Sequence, residues 1–187
     1  MRIIAGELKG RRLKTPLDER VRPTTDKVKE AVFSIIMPWL SDSIVVDMFA
    51  GTGNLGLEAV SIGAAHVYFA DRDRQSIALI RENISHCKVE DRCTIICTDY
   101  KSCSRKISSR ADIIFLDPPY DKGILIKAID MIIEEDMLED GGIIVAEHSA
   151  SEILPDKMGH LTRIREKKYG KIGITIYENS SEEEENY

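Results

Sequence analysis

The chain has 187 residues, of which 43% are apolar and 31% are charged, and its net charge is −6. That length fits one domain with a sizeable core, and the composition excludes a disordered or fibrous protein. No apolar run approaches the roughly 20 residues of a membrane span, and charges follow Met1 too closely for a signal peptide; the sequence thus predicts a cytoplasmic protein without a membrane partner.

The amino-terminal segment is basic, whereas the rest of the chain is acidic. Residues 1–22 hold seven basic and three acidic side chains, a net charge of +4, which leaves −10 for the other 165 residues. Two short strands, Arg2–Ala5 and Arg11–Lys14, with glycines at the turn predict a β-hairpin arm over residues 1–22. A basic arm on an acidic body is typical of binding to a phosphate backbone, although a solvated charged hairpin has the same composition.

A helix is predicted to link this arm to the rest of the chain, within residues 23–43. Thr24 or Thr25 can cap it, and Asp26 lies in its first turn. The helix has one apolar face and ends at Pro38; the face is formed by Val28, Val32, Ile35 and Ile36.

From Ile44 onward strands alternate with helices, which predicts a parallel sheet with helices on both faces. The predicted strands are Ile44–Met48, His66–Ala70, Thr94–Cys97, Asp112–Leu116 and Ile143–Glu147. The helices between them are Leu55–Ile62, Gln75–Cys87, a short turn near 101–107, and Gly123–Glu135. Two final strands, Arg163–Tyr169 and Gly173–Tyr177, are joined too closely for a crossover helix and should pair antiparallel.

The remaining sequence features predict neither a metal site nor a second domain. The four cysteines form no C-x-x-C pair and no zinc pattern, so reduced structural thiols are expected. We expect a single domain over residues 1–178, with a core over 44–178, and a disordered acidic tail over 179–187.

A glycine loop follows the first strand of this core. Gly51-Thr-Gly53-Asn-Leu-Gly56 has the G-x-G-x-x-G spacing, and Asp71 lies 20 residues after Gly51, which together resemble a dinucleotide site. However, Asp47 ends the strand just before the loop, where a carboxylate would repel a pyrophosphate but suits an ammonium group. The alternative of an NAD-dependent oxidoreductase is disfavoured also because Asp117-Pro-Pro-Tyr120 has no role in hydride transfer.

The loop instead favours S-adenosylmethionine, whose methionine ammonium would face Asp47. The glycines allow close approach of the backbone, Asp71 would accept from the ribose hydroxyls, and Asp99 would accept from the adenine amino group. Asp99 could equally be a helix cap. The candidate cofactor-binding residues are Asp47, Phe49, Gly51, Thr52, Gly53, Asp71, Arg72, Asp99 and Tyr100.

Asp117-Pro-Pro-Tyr120 follows another buried strand and forms the candidate catalytic site. An exocyclic amine of a base is a poor nucleophile, because its lone pair is delocalised into the ring. Hydrogen bonds from the amine to Asp117 and to the Pro118 carbonyl would favour a pyramidal nitrogen, and the prolines stiffen the loop. Tyr120 can stack on a flipped base through its ring, so its hydroxyl is expected to matter little.

Nearly the whole chain resembles the RsmD family, bacterial methyltransferases that modify a guanine N2 amine in 16S ribosomal RNA. The resemblance covers Arg2-Ile-Ile-Ala-Gly6, Gly10-Arg-Arg12, the stretch from Arg22 to Glu30, residues 47–53 and 55–59, and Asp117-Pro-Pro-Tyr120. It implies the seven-stranded, Rossmann-like class I methyltransferase fold with an N-terminal hairpin extension. It also implies S-adenosylmethionine as cofactor, and 16S rRNA or the small-subunit particle as partner of a monomeric protein. The RNA-binding residues would be Arg2, Lys9, Arg11, Arg12 and Arg22, without a role in cofactor binding.

Two other functions fit the same motifs. An adenine-N6 DNA or protein-glutamine methyltransferase uses the same tetrapeptide, but the chain has no room for a separate DNA-recognition domain. A catalytically silent RNA-binding assembly factor could keep the fold, but the intact Asp117 and Tyr120 disfavour it.

Overall fold

A computed structural model describes residues 1–16, 26–120 and 123–180. The four helices are α1 (Asp26–Ile36), α2 (Asn54–Ile62), α3 (Arg74–Cys87) and α4 (Ile124–Glu134). The first four strands are β1 (Ile44–Asp47), β2 (His66–Asp71), β3 (Cys93–Cys97) and β4 (Ala111–Leu116). The last four are β5 (Leu138–Ser149), β6 (Lys157–Met158), β7 (Leu161–Tyr169) and β8 (Ile172–Asn179). Among these described residues no helix is long and apolar enough to cross a membrane.

The strands form one sheet in the order β3-β2-β1-β4-β5-β8-β7-β6. The first five are parallel, whereas β8 runs antiparallel to β5 and β7 antiparallel to β8. Successive side chains of a strand point to opposite faces, so Val45 joins a core with α1, α2 and α3 while Val46 joins a core with α4. The predicted α/β class, with helices on both faces of the sheet, is therefore confirmed.

The structure differs from the predicted elements at the edge of the sheet. An eighth strand, β6, adds two residues that pair with the start of β7, in addition to the seven predicted. Strand β8 continues to Asn179, which the sequence analysis placed in the tail. The Asn179 amide is buried and donates to the carbonyls of Leu138 and Glu139, 3.0 Å from each, and these bonds fasten the strand end. The remaining tail residues 181–187 lie outside the described residues.

The amino-terminal arm folds back on itself as a short hairpin, although it lacks the regular strands predicted for it. One antiparallel bridge joins Arg2 to Arg12, and the amides of Ile3, Gly10 and Leu13 donate across the hairpin to the carbonyls of Arg11, Ile3 and Met1. The amides of Ile4 and Ala5 donate to Glu58 on α2, and the Leu8 amide donates to the Ser61 hydroxyl. These hydrogen bonds to α2 dock the hairpin against the rest of the domain.

Close packing at one glycine shows how tightly the arm is docked. Gly6 has φ of +76°, and a Cβ there would lie 1.8 Å from the Ser61 carbonyl oxygen. Neither the backbone angle nor the space admits another residue. The apolar side chains Ile3, Leu8 and Leu13 are buried in the core that α1, α2 and α3 share.

Candidate active site

A cavity of about 530 Å³ lies at the carboxyl ends of the parallel strands. Strand β1 stands between β2 and β4, so the chain order reverses beside β1. In open α/β sheets ligands bind in the crevice that such a reversal creates. The cavity is lined by residues from both motifs, among them Asp47, Phe49, Gly51, Thr52, Asp71, Asp117, Pro118 and Tyr120.

The glycine loop forms one side of this cavity. Gly53 precedes α2 with φ of +77°, a left-handed conformation that L side chains rarely adopt. The Gly51 amide donates to Asp71 Oδ2 at 2.9 Å, and the Asp73 amide donates to Asp71 Oδ1 at 2.8 Å. Each carboxylate oxygen has two acceptor lone pairs, so Asp71 orders the loop and retains capacity for a ligand hydroxyl.

Asp47 is buried at the inner wall of the cavity. Its Oδ2 accepts from the Gly56 amide at 3.0 Å, and the carboxylate therefore satisfies a donor in the first turn of α2. Burial raises the pKa of Asp47 to about 7; the Asp71 charge adds to this, whereas the Gly56 hydrogen bond opposes it. A ligand cation beside Asp47 would favour the ionised carboxylate.

A smaller pocket of about 40 Å³ lies beside the main cavity and collects the other predicted cofactor residues. Arg72, Asp99 and Tyr100 line it, and Phe49 borders both spaces. The rings of Phe49 and Tyr100 are 5.7 Å apart between centroids. Asp99 caps the short 3-10 turn Tyr100–Ser102 by accepting from the Lys101 amide at 3.1 Å, so the cap expected as an alternative is present.

The catalytic candidates line the same cavity as the glycine loop, on the segment that follows β4. Pro118 is buried and Tyr120 is 38% exposed, with its hydroxyl donating to Glu147 Oε1 at 2.7 Å. Burial raises the pKa of Asp117 well above its ordinary value, and the charges of Glu147 and Asp47 raise it further. A carboxylate with a raised pKa is a stronger hydrogen-bond acceptor and a better proton acceptor.

The predicted RNA-binding residues of the arm fall into two groups. Arg2 pairs with Asp26 at 2.9 Å, and Arg11 donates to the His86 carbonyl at 2.8 Å. Lys9 and Arg12 are exposed and have no side-chain partner within residues 1–16, 26–120 and 123–180. Arg22 lies outside the described residues. Lys9 and Arg12 therefore carry exposed charges without an ion-pair partner among those residues, whereas Arg2 and Arg11 form contacts that help to dock the arm.

The sequence analysis missed a buried polar network behind the glycine loop. Lys29 and Glu58 are fully buried and 2.7 Å apart, and the Lys29 ammonium also donates to the Arg2 carbonyl and to Asn54 Oδ1. Asn83 donates to the Thr52 and Lys14 carbonyls and accepts from the Lys14 amide. A charged residue within an otherwise apolar helix, such as Glu58 in α2, is the signal that could have revealed this network.

Glu147 was also missed, since it was assigned only to the end of a strand. It is 7% exposed, borders the main cavity and accepts from Tyr120. Among the described residues, no group of three or more His, Cys, Asp and Glu side chains is arranged to hold a metal ion.

The cavity has the size and the donor set for a nucleoside that carries a cationic group. Its volume lies within the range of roughly 300–1,000 Å³ that small-molecule sites occupy. Asp71 offers an acceptor beside the loop and Asp47 offers a buried carboxylate, while Phe49 and Tyr100 offer ring faces. The side chains present therefore fit S-adenosylmethionine.

Comparison with known proteins relates this chain to ribosomal RNA methyltransferases. The family model described as "Conserved hypothetical protein 95" matches residues 1–178. "Putative rRNA methyltransferase YlbH" of Bacillus subtilis is 39% identical over 182 residues, which cover 95% of this chain and 98% of that protein. "Ribosomal RNA small subunit methyltransferase D" of Escherichia coli is 30% identical and covers 98% of this chain and 92% of its own length.

The solved structures agree with this relationship. A structure titled "Putative methyltransferase yhhF from Escherichia coli" superposes with a TM-score of 0.87 at 29% identity. The alignment covers 96% of this chain and 98% of that one, so it includes the docked arm as well as the sheet.

Proposed function

The chain belongs to the family described as conserved hypothetical protein 95, the RsmD family, and on that premise we propose that this methyltransferase modifies the exocyclic N2 amine of a guanine in bacterial 16S rRNA. S-adenosylmethionine is the proposed methyl donor. When bound, this cofactor supplies an electrophilic methyl group. The observation that carries the proposal is the single cavity in which the glycine loop and Asp71 face Asp117 and Tyr120.

The proposed cofactor site uses the carboxyl ends of the first three strands. Asp71 accepts from the ribose hydroxyls, and Asp47 in its ionised form stabilises the methionine ammonium. Asp99 and the ring of Tyr100 bind the adenine, and Arg72 lies beside it. Phe49, Gly51, Thr52 and Gly53 complete the site by bringing backbone and ring surfaces close to the ligand.

The proposed substrate site uses the rigid loop after β4. The amine of the guanine donates its hydrogens to the Asp117 carboxylate and to the Pro118 carbonyl, which favours a pyramidal nitrogen with its lone pair directed at the cofactor. Tyr120 stacks on the flipped base, which is otherwise inaccessible in a paired strand. The proton that the nitrogen loses goes to Asp117, whose raised pKa suits that role.

The proposal extends to the protein's partners and organisation. The RNA partner is 16S rRNA, free or within the small-subunit particle, and Lys9, Arg12 and Arg22 contact its phosphates together with Arg2 and Arg11. We propose a cytoplasmic monomer whose methyltransferase domain spans residues 1–178, with an acidic tail after it.

Comparison of rRNA from cells with and without the gene tests the function directly. Mapping of methylated nucleotides should show one guanine N2 position modified only when the gene is present. Purified protein should then restore that methyl group to small subunits from the deletion strain when labelled cofactor is supplied. Transfer to DNA or to a protein, with none to rRNA, would contradict the proposal.

Asp117→Ala tests the assigned mechanism. Asp117 interacts most strongly with the amine as the nitrogen becomes pyramidal, so its loss should affect the transition state more than binding. We expect the single-turnover methylation rate to fall roughly 100-fold or more, the scale of losing one preorganised electrostatic partner. Cofactor affinity, measured by calorimetry, should change little. A folded variant that transfers methyl at the parental rate would remove Asp117 from the mechanism.

A further inference from the structure

A second group of basic side chains lies on β7 and on the turn between β7 and β8, where Lys171 lines the cavity. It consists of Arg165, Lys167 and Lys171, and we refer to it as the basic rim. All three are exposed, and none has a side-chain partner among the residues that the structure describes. The neighbouring Glu166 pairs with Arg163 at 3.1 Å and lies 3.8 Å from Lys168, so its charge is already engaged.

The sheet topology places this turn beside the active site. Strand β8 runs antiparallel to β5, so its first residue, Ile172, pairs with Ser149 just beyond the carboxyl end of the parallel strands. The Lys171 carbonyl accepts from the Ala150 amide at 3.0 Å, which fixes the turn to the chain that follows β5. Lys171 and Ile172 line the same cavity as Asp117 and Tyr120.

The basic rim also faces the same side of the sheet as the arm. Lys167 pairs with Ile174 and Arg165 pairs with Ile176, and directly opposite residues of paired strands share a face. Both isoleucines belong to the core that contains Ile3, Leu8 and Leu13 of the arm. Met1 and Pro16 of the arm line the cavity as Lys171 does. The arm and the β7–β8 turn therefore border the same cavity, and both elements carry exposed basic side chains.

We propose that the basic rim binds the phosphate backbone of the substrate RNA across the cavity from the arm. The inference rests on the proposed function. A nucleotide turned out of its helix must be held by the backbone on both of its sides, and phosphate contacts fix the position of the strand. The arm holds one side of the target nucleotide and the basic rim holds the other. Its residues are a phosphate-binding surface for which the overall charge of −6 gives no indication.

Lysines on an exposed strand edge have another common use, since they discourage pairing with a second sheet. The double variant Lys167→Ala/Lys171→Ala separates the two roles. We expect its affinity for a 16S rRNA transcript at 0.1 M NaCl to fall roughly tenfold or more. The slope of log affinity against log salt should become shallower by about 1.4–1.8, because each lost phosphate contact removes roughly 0.7–0.9.

Two matched variants complete the test. Lys157→Ala removes an exposed lysine from β6, which pairs with the start of β7 and does not line the cavity, and it should leave the affinity and the slope at parental values. Lys167→Arg/Lys171→Arg keeps the charges and should bind RNA as the parent does. The thermal midpoint of each variant establishes that it is folded.

The outcomes distinguish this inference from the proposed function. If the parent methylates rRNA while a folded double alanine variant keeps the parental affinity and salt slope, the basic rim does not bind RNA. An equal loss of affinity in Lys157→Ala would show a general charge effect and would also overturn the inference. If the parent neither binds nor methylates rRNA, the proposed function is wrong, and so is the RNA partner that we assign to the basic rim.

Discussion

The side chain of Tyr120 has two parts with different surroundings: a ring that borders the cavity, and a hydroxyl that lies against Glu147. From the sequence the ring alone should matter, whereas the structure shows the hydroxyl donating to the buried carboxylate of Glu147 at 2.7 Å. This hydrogen bond orients the ring toward the cavity. Tyr120→Phe should therefore slow single-turnover methylation about fivefold, which corresponds to roughly 1 kcal/mol for one hydrogen bond.

Glu147→Gln is the matched control for this prediction. Glutamine keeps a carbonyl acceptor for the Tyr120 hydroxyl but removes the charge that Glu147 places near Asp117. It should retain more activity than Glu147→Ala, which removes the acceptor as well. Equal rates for Tyr120→Phe and the parent would show that stacking by the ring is sufficient.

The site residues that could be predicted from the sequence follow buried strands, whereas those that could not be predicted depend on contacts between distant parts of the chain. Asp47, Asp71 and Asp117 could be predicted because each follows an apolar strand, and strand ends converge in a parallel sheet. Asn83 could not be predicted, because its partners are the backbone carbonyls of Lys14 and Thr52, which are 69 and 31 residues away in sequence. Contacts of this kind depend on how the arm docks, which no local pattern encodes.

At the scale of elements, the buried ion pair between α1 and α2 joins the arm to the glycine-loop helix. Lys29→Ala would leave the Glu58 carboxylate buried without its partner, and we expect a loss of about 3–5 kcal/mol in the free energy of unfolding. Urea unfolding at neutral pH measures this. The double variant Lys29→Met/Glu58→Leu removes both charges but also the acceptor of the Ile4 and Ala5 amides, so only part of the lost stability should return. A Lys29→Ala protein as stable as its parent would show that the pair contributes little.

The contact between the arm and the glycine loop leads to a second prediction at this scale. Asn83→Ala would leave the Lys14 backbone groups and the Thr52 carbonyl without their partner, at a cost of about 1–3 kcal/mol in stability. Because Thr52 lines the cavity, S-adenosylmethionine should also bind more weakly in calorimetry. Arg11→Ala removes an arm contact to the His86 carbonyl, which involves no residue that lines the cavity, and this variant should bind the cofactor normally. Parental affinity in Asn83→Ala would confine the arm to RNA binding, as the sequence alone suggests.

Most elements could be predicted from local pattern, and the exceptions have physical causes. The five parallel strands and four helices follow from alternating apolar runs, and they lie within a few residues of their predicted bounds. The exception is β5, which begins at Leu138, five residues before the predicted start. Strand β6 is only two residues long, too short to produce a pattern. The arm reads as a hairpin because its glycines bracket a turn, and its two segments do pair. Its docking onto Glu58 and Ser61 of α2 could not be predicted, because these partners are more than 50 residues away in sequence.

Across the whole molecule, the distribution of charge says more about which ligands the protein can bind than its net charge does. Buried carboxylates line the candidate active-site cavity, whereas exposed cations lie on the arm and on the basic rim. On the proposed function, the exposed cations would bind the anionic substrate, and the buried carboxylates would serve the cationic cofactor and proton transfer. The same buried carboxylates make the stability of the protein depend on pH.

The pKa of Asp47 is raised by burial to about 7 from an ordinary value of 3.8, and that of Asp117 is also raised. Between about pH 4 and pH 7 the folded protein retains protons that the unfolded chain has released, so the free energy of unfolding should fall as pH rises through this window. Asp47→Asn keeps an acceptor for the Gly56 amide but cannot ionise. At pH 8 it should be more stable than the parent by about 1–4 kcal/mol, and this difference should shrink toward pH 5.

Urea unfolding of the parent and of two variants across pH 5–8 tests this expectation. Asp73→Asn is the matched control, because its exposed carboxylate caps α3 and has a pKa lowered by hydrogen bonds from the Gln75 and Ser76 amides. Asp73 is ionised in both states throughout this range, so its replacement should shift the stability curve without changing its slope. Asp47→Asn should flatten the curve. Parallel curves for the parent and Asp47→Asn would mean that Asp47 titrates well below the range, and that the cavity holds an ionised carboxylate even without a bound cation.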